Sequence, residues 1–476
     1  MSVNLNATQQ ARAASQLLRN AFPGRVTTID DAPEHKVELS RPWSQTCWVP
    51  ATAYVRPNTT EEVAQVLKTV AQTECKFAIR ATGHNPNFGF SSIDETGVVI
   101  DLRNLDSKSV DSDGILSAGA GNTWGDVYSW LDDRKLWAMG GRETAVGLAG
   151  FLLGGGLGPF PSLHGTGADG VRNFEVVLAD GTIVNANANT NGNLFRALKG
   201  GGSNFGIVTR FDLVTYPLVN IQYTINLYDT ADYENIVKAT IQVHEAMESD
   251  PKIGLFTNFR SGFVVVGMLY ADSPAETPKA FDPFVKLTSL VNVMLSTTTG
   301  TVSSLVKTLD QFHPPLPGKR AVGTATTKVS YDLYADVYAT WRDLTKNLVT
   351  GVDLHFTIQP VTRSCVQAGE DCGGNTLGLE NTPQCWFVFT AEWESDGNDA
   401  VIEGTLVALM ERAEKLAMDR ELLLSYRSMS FAHSSQNVLR SYGTGNMKRL
   451  QETASEYDPK GLFQDLQNNG FLLRNL

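Results

Sequence analysis

Cysteine is scarce in this chain and follows no metal-binding pattern. The 476 residues include five cysteines, too few for a disulfide-stabilised scaffold of this length. None of them stands in a C-x-x-C pair, so the sequence predicts no zinc site and no other metal site. Cys365 and Cys372 are seven positions apart and are compatible with a disulfide or with two free thiols. The odd count leaves at least one free thiol if every disulfide is internal.

Long hydrophobic runs and an excess of basic residues are also missing. The longest apolar stretches, such as residues 262–270, have the length of a strand and not of a membrane span. Residues 1–26 read as an amphipathic helix, with Ala11, Ala14, Leu17 and Leu18 at helical spacing, and lack the pattern of a signal peptide. We therefore expect an intracellular protein, unless a leader has been removed. The net charge of −12 argues against nucleic acid and anionic membranes as partners.

Glycine, in contrast, is abundant and concentrated in one region. Seventeen of the 42 glycines lie in residues 140–206, which is typical of backbone that packs against a large flat group or makes many tight turns. An Asp-Gly turn there predicts a hairpin between residues 174–179 and 182–185. Residues 165–170 match the G-x-G-x-x-G string of dinucleotide-binding folds, but a strand follows where that fingerprint needs a helix. We therefore reject the dinucleotide-binding interpretation.

One short strand and the turn after it form the most informative stretch. Residues 77–80 are apolar until Arg80, and the chain then enters a turn rich in glycine, asparagine and serine with His84 at its start. The glycines allow close backbone approach, the serines add hydroxyl donors, and Arg80 or a nearby base supplies charge. The stretch predicts a phosphate-binding loop beside a nucleophilic imidazole, the alternative being a surface turn with an incidental histidine. The glycines and serines are Gly83, Gly89, Ser91 and Ser92.

Apolar periodicity predicts an α+β fold with two regions of different texture. In the first region short strands alternate with helices, one of which begins at the capping-box pair Thr59 and Glu62. Beyond Pro217 glycine becomes rare, and strands with interspersed helices predict a second domain, an open antiparallel sheet covered on one face. The predicted helices there are residues 233–247, 280–291 and 400–417, and the predicted last strand is residues 422–430. The domains are residues 1–217, 218–435 and a C-terminal segment, 436–476.

Six segments of the sequence carry a family resemblance when they are taken in order. They are Arg80–His84, Val98–Leu102, Val146–Gly158, Val176–Gly181, Leu198–Val208 and the tail Ser441-Tyr-Gly, Tyr457-Asp-Pro and Phe463-Gln. The set resembles the vanillyl-alcohol oxidase and p-cresol methylhydroxylase (PCMH) flavoprotein superfamily, and most closely its berberine-bridge-enzyme-like (BBE-like) oxidases of fungi. Each string is moderately specific by itself. The six together span nearly the whole chain and are highly specific.

The resemblance implies a two-part PCMH-type domain that binds FAD. The N-terminal half and the C-terminal segment would form this domain, and the middle of the chain would be an inserted substrate domain. His84 matches the histidine that many members link covalently to the flavin 8α-methyl carbon. Such a link retains the flavin and raises its potential. The other residues assigned to the cofactor are Arg80, Thr82, Gly83, Asn85, Ser91, Gly147, Gly150, Gly155, Asp169, Asn204, Gly206, Ile207, Val208, Tyr442 and Asn446.

Two positions depart from the family pattern. Bicovalent relatives carry a cysteine where this chain has Glu143, so we expect at most one covalent link to FAD, through His84. Relatives commonly end the substrate domain with Tyr-x-Asn on the last strand, where this chain has Ser428-Met-Ser430. Tyr426 is two residues earlier, hence on the same face of the predicted strand, and is one candidate catalytic base. His433 is the other, since imidazole accepts protons near neutral pH. For both residues, the alternative to a catalytic role is a side chain that only packs in the core or is exposed to solvent.

Four further residues have weaker assignments. His355, on a predicted strand, and His164, in the glycine-rich region, are minor candidates for catalysis. Cys47 and Cys75 match positions that fungal relatives often join in a disulfide, which fits relatives that are secreted but conflicts with the missing signal peptide. The sequence leaves their redox state open.

The resemblance implies an FAD-dependent oxidase of secondary metabolism. A base would remove a proton from a small hydrophobic alcohol, phenol, amine or polyketide-type intermediate while hydride passes to the flavin, and O2 would reoxidise the flavin to give hydrogen peroxide. Because the tyrosine base is missing, one alternative is a flavoprotein scaffold for a non-redox or cryptic-redox cyclisation or isomerisation. A second alternative is a carbohydrate oxidase, although a sugar site should carry more tyrosine and carboxylate near the last strand. The sequence does not indicate the oligomeric state.

Overall fold

The computed structural model describes residues 5–312, 317–394 and 396–476, which form eighteen strands in four sheets. In chain order the strands are β1 (Val26–Thr28), β2 (Ala53–Val55), β3 (Lys76–Arg80), β4 (Gly97–Asp101), β5 (Lys108–Val110), β6 (Ile115–Gly119), β7 (Leu136–Trp137), β8 (Val171–Val177), β9 (Ile183–Asn187), β10 (Ile207–Val214), β11 (Tyr216–Pro217), β12 (Ile221–Asp229), β13 (Ile253–Arg260), β14 (Phe263–Tyr270), β15 (Leu290–Gly300), β16 (Lys319–Lys328), β17 (Asp353–Val361) and β18 (Gln384–Trp393).

The same residues form sixteen α-helices. They are α1 (Ala7–Ala21), α2 (Ala32–Leu39), α3 (Thr60–Gln72), α4 (Trp124–Asp132), α5 (Leu148–Leu153), α6 (Pro161–His164), α7 (Gly192–Leu198), α8 (Tyr233–Met247), α9 (Asp282–Val285), α10 (Val302–Phe312), α11 (Tyr331–Thr345), α12 (Arg363–Asp371), α13 (Asp399–Met418), α14 (Val438–Ser441), α15 (Thr444–Tyr457) and α16 (Leu462–Asp465). Within the described ranges, none is long and apolar enough to cross a membrane.

A four-stranded sheet places the sequence-predicted loop. Its order is β1-β2-β4-β3, with β3 parallel to β4 and β4 parallel to β2. Helix α3 begins where the Thr59 hydroxyl accepts a hydrogen bond from the Glu62 amide at 3.3 Å, and its apolar face, with Val63 and Val66, is fully buried. The loop that follows β3 therefore leaves the carboxyl end of a parallel pair of strands, where ligands bind in open α/β sheets.

A five-stranded antiparallel sheet follows, in the order β5-β6-β10-β8-β9. Strands β8 and β9 form the predicted hairpin, and Gly181 at their turn has a φ of +79°. The Gly165–Gly170 string leads into β8 through a 3₁₀ turn over Gly167–Gly170. A strand and not a long helix comes after it, so the rejection of the dinucleotide-binding interpretation is consistent with the structure.

The region beyond Pro217 is built on a seven-stranded antiparallel sheet with the order β15-β12-β14-β13-β17-β18-β16. Ile358 pairs with Phe387, and both lie in a core with helices α8, α11 and α13. The neighbouring pair, Gln359 and Trp386, points to the opposite face because side chains alternate along a strand. Trp386 belongs to the core of the N-terminal half. The sheet thus packs its helices on one face and the N-terminal half on the other.

The C-terminal segment returns to the four-stranded sheet. The Phe77 amide donates to the Leu466 carbonyl at 3.0 Å, and the Asn468 amide donates to the Phe77 carbonyl at 2.8 Å. This bridge adds the tail beside β3, directly before the loop.

Two predicted elements of the second region are wrong. Residues 280–291 contain only a 3₁₀ turn and the short helix α9, and β15 begins at Leu290, because its β-branched valines and threonines favour a pleated sheet. Residues 422–430 form no strand beyond one bridge between Leu423 and Thr327. The Nη1 atom of Arg427 donates to the carbonyls of residues 424–426, so these carbonyls are taken up by a side chain and do not pair with a neighbouring strand. The shared strand face inferred for Tyr426 and Ser428 therefore does not exist.

Candidate active site

The loop after β3 is held closely by two other parts of the chain. Gly83 and Gly89 have φ values of +76° and +77°, which favour glycine. A Cβ atom at Gly89 would lie 2.6 Å from the Asn469 side-chain nitrogen. The Trp43 amide donates to the Gly83 carbonyl at 3.0 Å, and the Asn468 side chain donates to the Gly89 and Ser92 carbonyls, each at 3.1 Å. The loop therefore has one defined shape.

His84 is fixed on two sides within this loop. Its ring stacks on Trp43 with centroids 4.4 Å apart and an interplanar angle of 12°. Its Nε2 atom lies 3.5 Å from the Glu143 Oε2 atom, is buried and makes no hydrogen bond among the described residues. The imidazole is thus positioned by aromatic packing, with one nitrogen lacking a full hydrogen-bond partner.

The two serines of the loop also lack hydrogen-bond partners. Ser91 and Ser92 are 7% and 2% exposed, and within the described ranges neither hydroxyl has a hydrogen-bond partner. A buried polar group without a partner costs about 1–3 kcal/mol, so three such groups in one loop indicate that it is built to meet a polar ligand. With the glycine turns, these donors fit a phosphate-bearing cofactor such as FAD. His84 and the loop serines are the residues that would hold it.

Arg80 has a different position from the one predicted. It is 1% exposed, and its Nε donates to the Asp101 carboxylate at 2.7 Å. Its Nη1 donates to the Glu38 carbonyl at 2.9 Å and its Nη2 to the Glu38 carboxylate at 3.1 Å. Arg103 pairs with the same two carboxylates. All three nitrogens of the Arg80 guanidinium donate to protein oxygens. The sequence predicted that Arg80 or a nearby base would supply charge to a ligand, but the Arg80 charge is already paired. Arg80 instead stabilises the end of β3, from which the loop begins.

Several other predicted cofactor residues connect segments of backbone. The Asp169 carboxylate accepts hydrogen bonds from the Thr166 amide and hydroxyl, at 2.8 and 2.7 Å. The Asn204 amide group donates to the Phe471 carbonyl at 3.0 Å and accepts from the Leu473 amide at 2.9 Å. The Asn204 contacts tie the glycine-rich segment before β10 to the C-terminal tail. Asn204 thereby helps to close the site.

Tyr442 and Asn446 extend this connection. The Tyr442 hydroxyl donates to the Gly200 carbonyl at 3.0 Å, and the Asn446 side chain donates to the Tyr442 carbonyl at 3.1 Å. A Cβ atom at Gly147 would lie 2.5 Å from the Thr82 hydroxyl, so the structure brings these two predicted residues together. The remaining predicted positions, by element, are Asn85 in the loop, Gly150 in α5, Gly155 after it, Gly206 before β10, and Ile207 and Val208 in β10.

Tyr426 lies in the interior of the site. It is 2% exposed, and its ring is 4.8 Å from that of Trp386 and 5.9 Å from that of Tyr442. Its hydroxyl has no hydrogen-bond partner among the described residues. Burial raises the pKa of Tyr426 far above its ordinary value of 10. The phenol therefore keeps its proton at neutral pH and suits a hydrogen-bond donor better than a base.

His433 lies at the edge of the seven-stranded sheet and next to the loop. Its amide donates to Gln436, which in turn bonds the backbone of Thr324 in β16. The adjacent Ser434 amide donates to the Asn87 side chain at 2.8 Å. Burial lowers the pKa of His433 from 6.5, so the imidazole is neutral at pH 7. A neutral imidazole can accept a proton.

Sequence reasoning missed two serines beside these candidates. Ser428 and Ser430 occupy the positions of the family's Tyr-x-Asn, and both hydroxyls are buried without a partner in the described part of the chain. A Cβ atom at Gly154 would lie 3.2 Å from the Ser430 hydroxyl. Their departure from the Tyr-x-Asn motif was the one feature of the sequence that could have identified these serines.

The minor candidates have packing or ion-pair surroundings. His164 stacks on Tyr216 at 3.8 Å, and burial lowers the pKa of His164 to about 4. His355 contacts the Asn258 side chain at 2.9 Å and Arg260 at 3.3 Å. It lies with Asp353 and Glu392 in a group of possible metal ligands. Arg260 and Arg320 pair with those two carboxylates, so their charge is already neutralised.

The disulfide suggested for Cys47 and Cys75 is not present. All five cysteines are free thiols. Burial raises the pKa of Cys47 to about 11 and that of Cys75 to about 12. The Cys47 thiol donates to the Pro86 carbonyl at 3.3 Å. It packs behind the loop and does not cross-link it.

A family model and several known proteins match this chain. Residues 51–187 match the family model described as an FAD binding domain. An FAD-dependent monooxygenase of Arthrobotrys oligospora is 35% identical over 431 residues, covering 90% of this chain and 84% of that protein. The bifunctional solanapyrone synthase of Alternaria solani is 31% identical over 432 residues, covering 89% and 82%.

Solved structures show the same fold at lower identity. BBE-like 1 of Physcomitrella patens has a TM-score of 0.80 at 17% identity, with 96% of this chain and 99% of that chain covered. The glucooligosaccharide oxidase of Acremonium strictum, described with a 6-S-cysteinyl, 8α-N1-histidyl FAD, has a TM-score of 0.80 at 17% identity, with 96% and 98% covered. The chain therefore belongs to the fungal FAD-dependent monooxygenase family, flavoprotein oxidoreductases that have the fold of the BBE-like oxidases.

Proposed function

We propose that this protein is an FAD-dependent oxidase of fungal secondary metabolism. It removes hydride from a small hydrophobic natural-product intermediate, and O2 is the final acceptor, giving hydrogen peroxide. The observation that carries the proposal is the set of buried, unpartnered polar atoms in one loop, on His84, Ser91 and Ser92. The name of the solanapyrone synthase supports the natural-product setting.

In this proposal FAD is held by one covalent link, through His84. Trp43 stacks on the imidazole and fixes its orientation, and the loop serines bind the phosphate end. Glu143 has no thiol with which to form a second link. When bound, FAD supplies the two-electron acceptor that no side chain can supply.

The chain itself provides orientation and the proton acceptor. His433, neutral at pH 7 because burial lowers its pKa, accepts the substrate proton. Tyr426 keeps its proton because burial raises its pKa, and it donates a hydrogen bond within the site. Trp386, on the sheet face that meets the N-terminal half, closes the site against water.

A second candidate activity is monooxygenation. The relative of Arthrobotrys oligospora bears that name. A monooxygenase would place one atom of O2 in the product and reduce the other to water with two electrons from an added nicotinamide reductant or from the substrate itself, whereas an oxidase would release both atoms as hydrogen peroxide. The two activities share the same cofactor and differ in the fate of oxygen.

One experiment separates these readings from a flavin scaffold without redox chemistry. The purified holoprotein is mixed anaerobically with a panel of aromatic alcohols, phenols and polyketide lactones, and its visible flavin band is recorded. Bleaching with a substrate, followed by one hydrogen peroxide per product in air, is expected. Incorporation of ¹⁸O from labelled O2 would indicate the monooxygenase. Product formed under an unbleached band would contradict both.

A further inference from the structure

A short segment of the N-terminal half pairs with the last strand of the seven-stranded sheet. The Ser44 hydroxyl accepts a hydrogen bond from the Arg320 amide at 2.8 Å and donates to the Arg320 carbonyl at 3.2 Å. The Gln45 amide donates to the Gly318 carbonyl at 2.9 Å. Ser44 is fully buried. These contacts fix residues 44–45 against β16, which follows them by about 276 positions in the chain.

The Arg320 side chain extends from β16 to Trp43, the residue that stacks on His84. It is 7% exposed. Its Nε donates to the Glu392 carboxylate at 2.9 Å, and its Nη1 donates to the Trp43 carbonyl at 2.6 Å. The central guanidinium carbon lies 4.4 Å from the centre of the Trp43 ring, within the range of a cation–π interaction. The guanidinium is therefore held by one carboxylate and contacts Trp43 twice.

Trp43 is fixed in the same way against the loop. Its ring stacks on the His84 imidazole with centroids 4.4 Å apart, and its amide donates to the Gly83 carbonyl at 3.0 Å. Through its ring and its backbone, Trp43 thus connects Arg320 of the seven-stranded sheet to His84 of the loop.

The orientation of the imidazole matters for a covalent link to FAD. The new C–N bond replaces one C–H bond of the flavin methyl group and the N–H bond of the imidazole. The two electrons pass to the flavin and then, with the two protons, to O2, which becomes hydrogen peroxide. No side chain is consumed in this balance. The contribution of the chain is the placement of the ring nitrogen, and a displacement of about 1 Å can slow such a reaction by about a hundredfold.

We propose that Arg320 is a positioning residue for the covalent attachment of FAD and that it acts through Trp43. Its cation holds the indole ring, and the indole ring holds the His84 imidazole in the attacking orientation. The inference rests on the proposed function, because it concerns the single link through His84. It goes beyond that function by making attachment depend on the second region of the chain. A protein in which the β16 edge is not in place should bind FAD without linking it.

The rate at which acid-stable flavin forms tests this role without measuring turnover. Each protein is produced under riboflavin limitation, incubated with FAD in air and sampled over time by acid precipitation. The rate is expressed per bound FAD, so that chains that have not folded are not counted. Arg320→Gln and Arg320→Met, the second of which keeps an apolar stem, should both slow attachment by about five- to thirtyfold, the range of a lost cation–π interaction. The amount of FAD bound at saturation should stay the same.

Variants of Trp43 show whether the arginine acts through the ring. Trp43→Leu should slow attachment by about a hundredfold, whereas Trp43→Phe, which keeps an aromatic ring, should cost less than about tenfold. Adding Arg320→Gln to Trp43→Leu should slow attachment no further, because the two residues act as one unit. A further loss of more than about fivefold in the double variant would overturn the assignment to Trp43.

Arg260→Gln is the matched control. Arg260 pairs with Asp353, which stands opposite Glu392 in the sheet, but it lies on β13, separated from β16 by β17 and β18. Its variant should attach FAD within about twofold of the native rate. A native rate in Arg320→Gln, or an equal loss in Arg260→Gln, would overturn the inference alone. Native protein without any acid-stable flavin would contradict the covalent link of the proposed function, and the inference with it.

Discussion

The Nε2 atom of His84 lies 3.5 Å from the Oε2 atom of Glu143. In bicovalent relatives, a cysteine stands where this chain has the carboxylate. A nearby carboxylate can attract the imidazole electrostatically, but it does not form the thioether that a thiolate forms. This difference in residue type supports the part of the proposal that gives FAD a single covalent link.

His84→Ala should abolish that attachment. We expect the native protein to retain its yellow colour in the pellet after acid precipitation, and the variant to release its FAD into the supernatant. His433→Ala is the control, because this histidine lies at the sheet edge and should leave the link intact. Release of all FAD by the native protein would show that the covalent link is wrong.

His433→Gln should lower kcat by about a hundredfold or more, the usual range for loss of a general base. Because burial lowers the pKa of His433 below 6.5, kcat/KM of the native enzyme should stay level at neutral pH and fall only on acidification through that lowered pKa. The variant should lose this acid limb. Tyr426→Phe, measured in parallel, should cost less than about tenfold, since Tyr426 keeps its proton. A larger loss in Tyr426→Phe than in His433→Gln would reverse the two roles.

Arg80→Met should destabilise the fold strongly. The substitution leaves the buried carboxylates of Glu38 and Asp101 with less compensation, and breaking a buried ion pair costs about 3–5 kcal/mol. Urea titration of the unfolding transition measures the loss. Arg19→Met, which removes an exposed pair with Asp31, is the matched control, with an expected cost below about 1 kcal/mol. Equal losses in both variants would contradict the assignment of Arg80 to loop support.

Acid should weaken the fold through His244. Burial lowers the pKa of His244 to about 4 from 6.5, and its Nε2 lies 3.2 Å from the Val361 carbonyl. The unfolded chain takes up a proton below pH 6.5, whereas the folded protein does so only near pH 4. This contribution is therefore fully present above pH 6.5 and is lost as pH falls to about 4, by up to about 3 kcal/mol.

His244→Leu should flatten the stability profile in that window. The free energy of unfolding of the variant, measured by urea titration from neutral pH to about pH 4, should fall less steeply than that of the native protein. His164 remains in the variant and keeps its own acid sensitivity. Parallel profiles for the two proteins would contradict the linkage to His244.

Local patterns in the sequence predicted the elements that depend on neighbouring residues. Helix α8 has the predicted bounds, Tyr233–Met247, because its apolar stripe is regular. The β8–β9 hairpin follows from its Asp-Gly turn. The tight turns of the loop at Gly83 and Gly89 could be predicted because its glycines lie close together in the chain.

Features that depend on distant residues were not predictable in this way. The partners of Arg80 are 42 and 21 positions away, so no local pattern shows that its charge is neutralised. The hydrogen bond from Arg142 to Gln359 joins residues that are 217 positions apart. A strand was expected at residues 422–430. The Arg427 side chain, however, donates to a backbone carbonyl of this segment, which a strand would use to pair with its neighbour.

The backbone bridge between Phe77 and residues 466–468 has a consequence for biosynthesis. The strand before the loop is translated about 390 residues ahead of the segment that flanks it, which corresponds to roughly 20–80 s on the ribosome. Throughout that interval the nascent loop lacks Asn468, whose side chain donates hydrogen bonds to the Gly89 and Ser92 carbonyls in the folded protein. We therefore expect flavin loading to be a late event, and a chain truncated before Leu466 to be colourless.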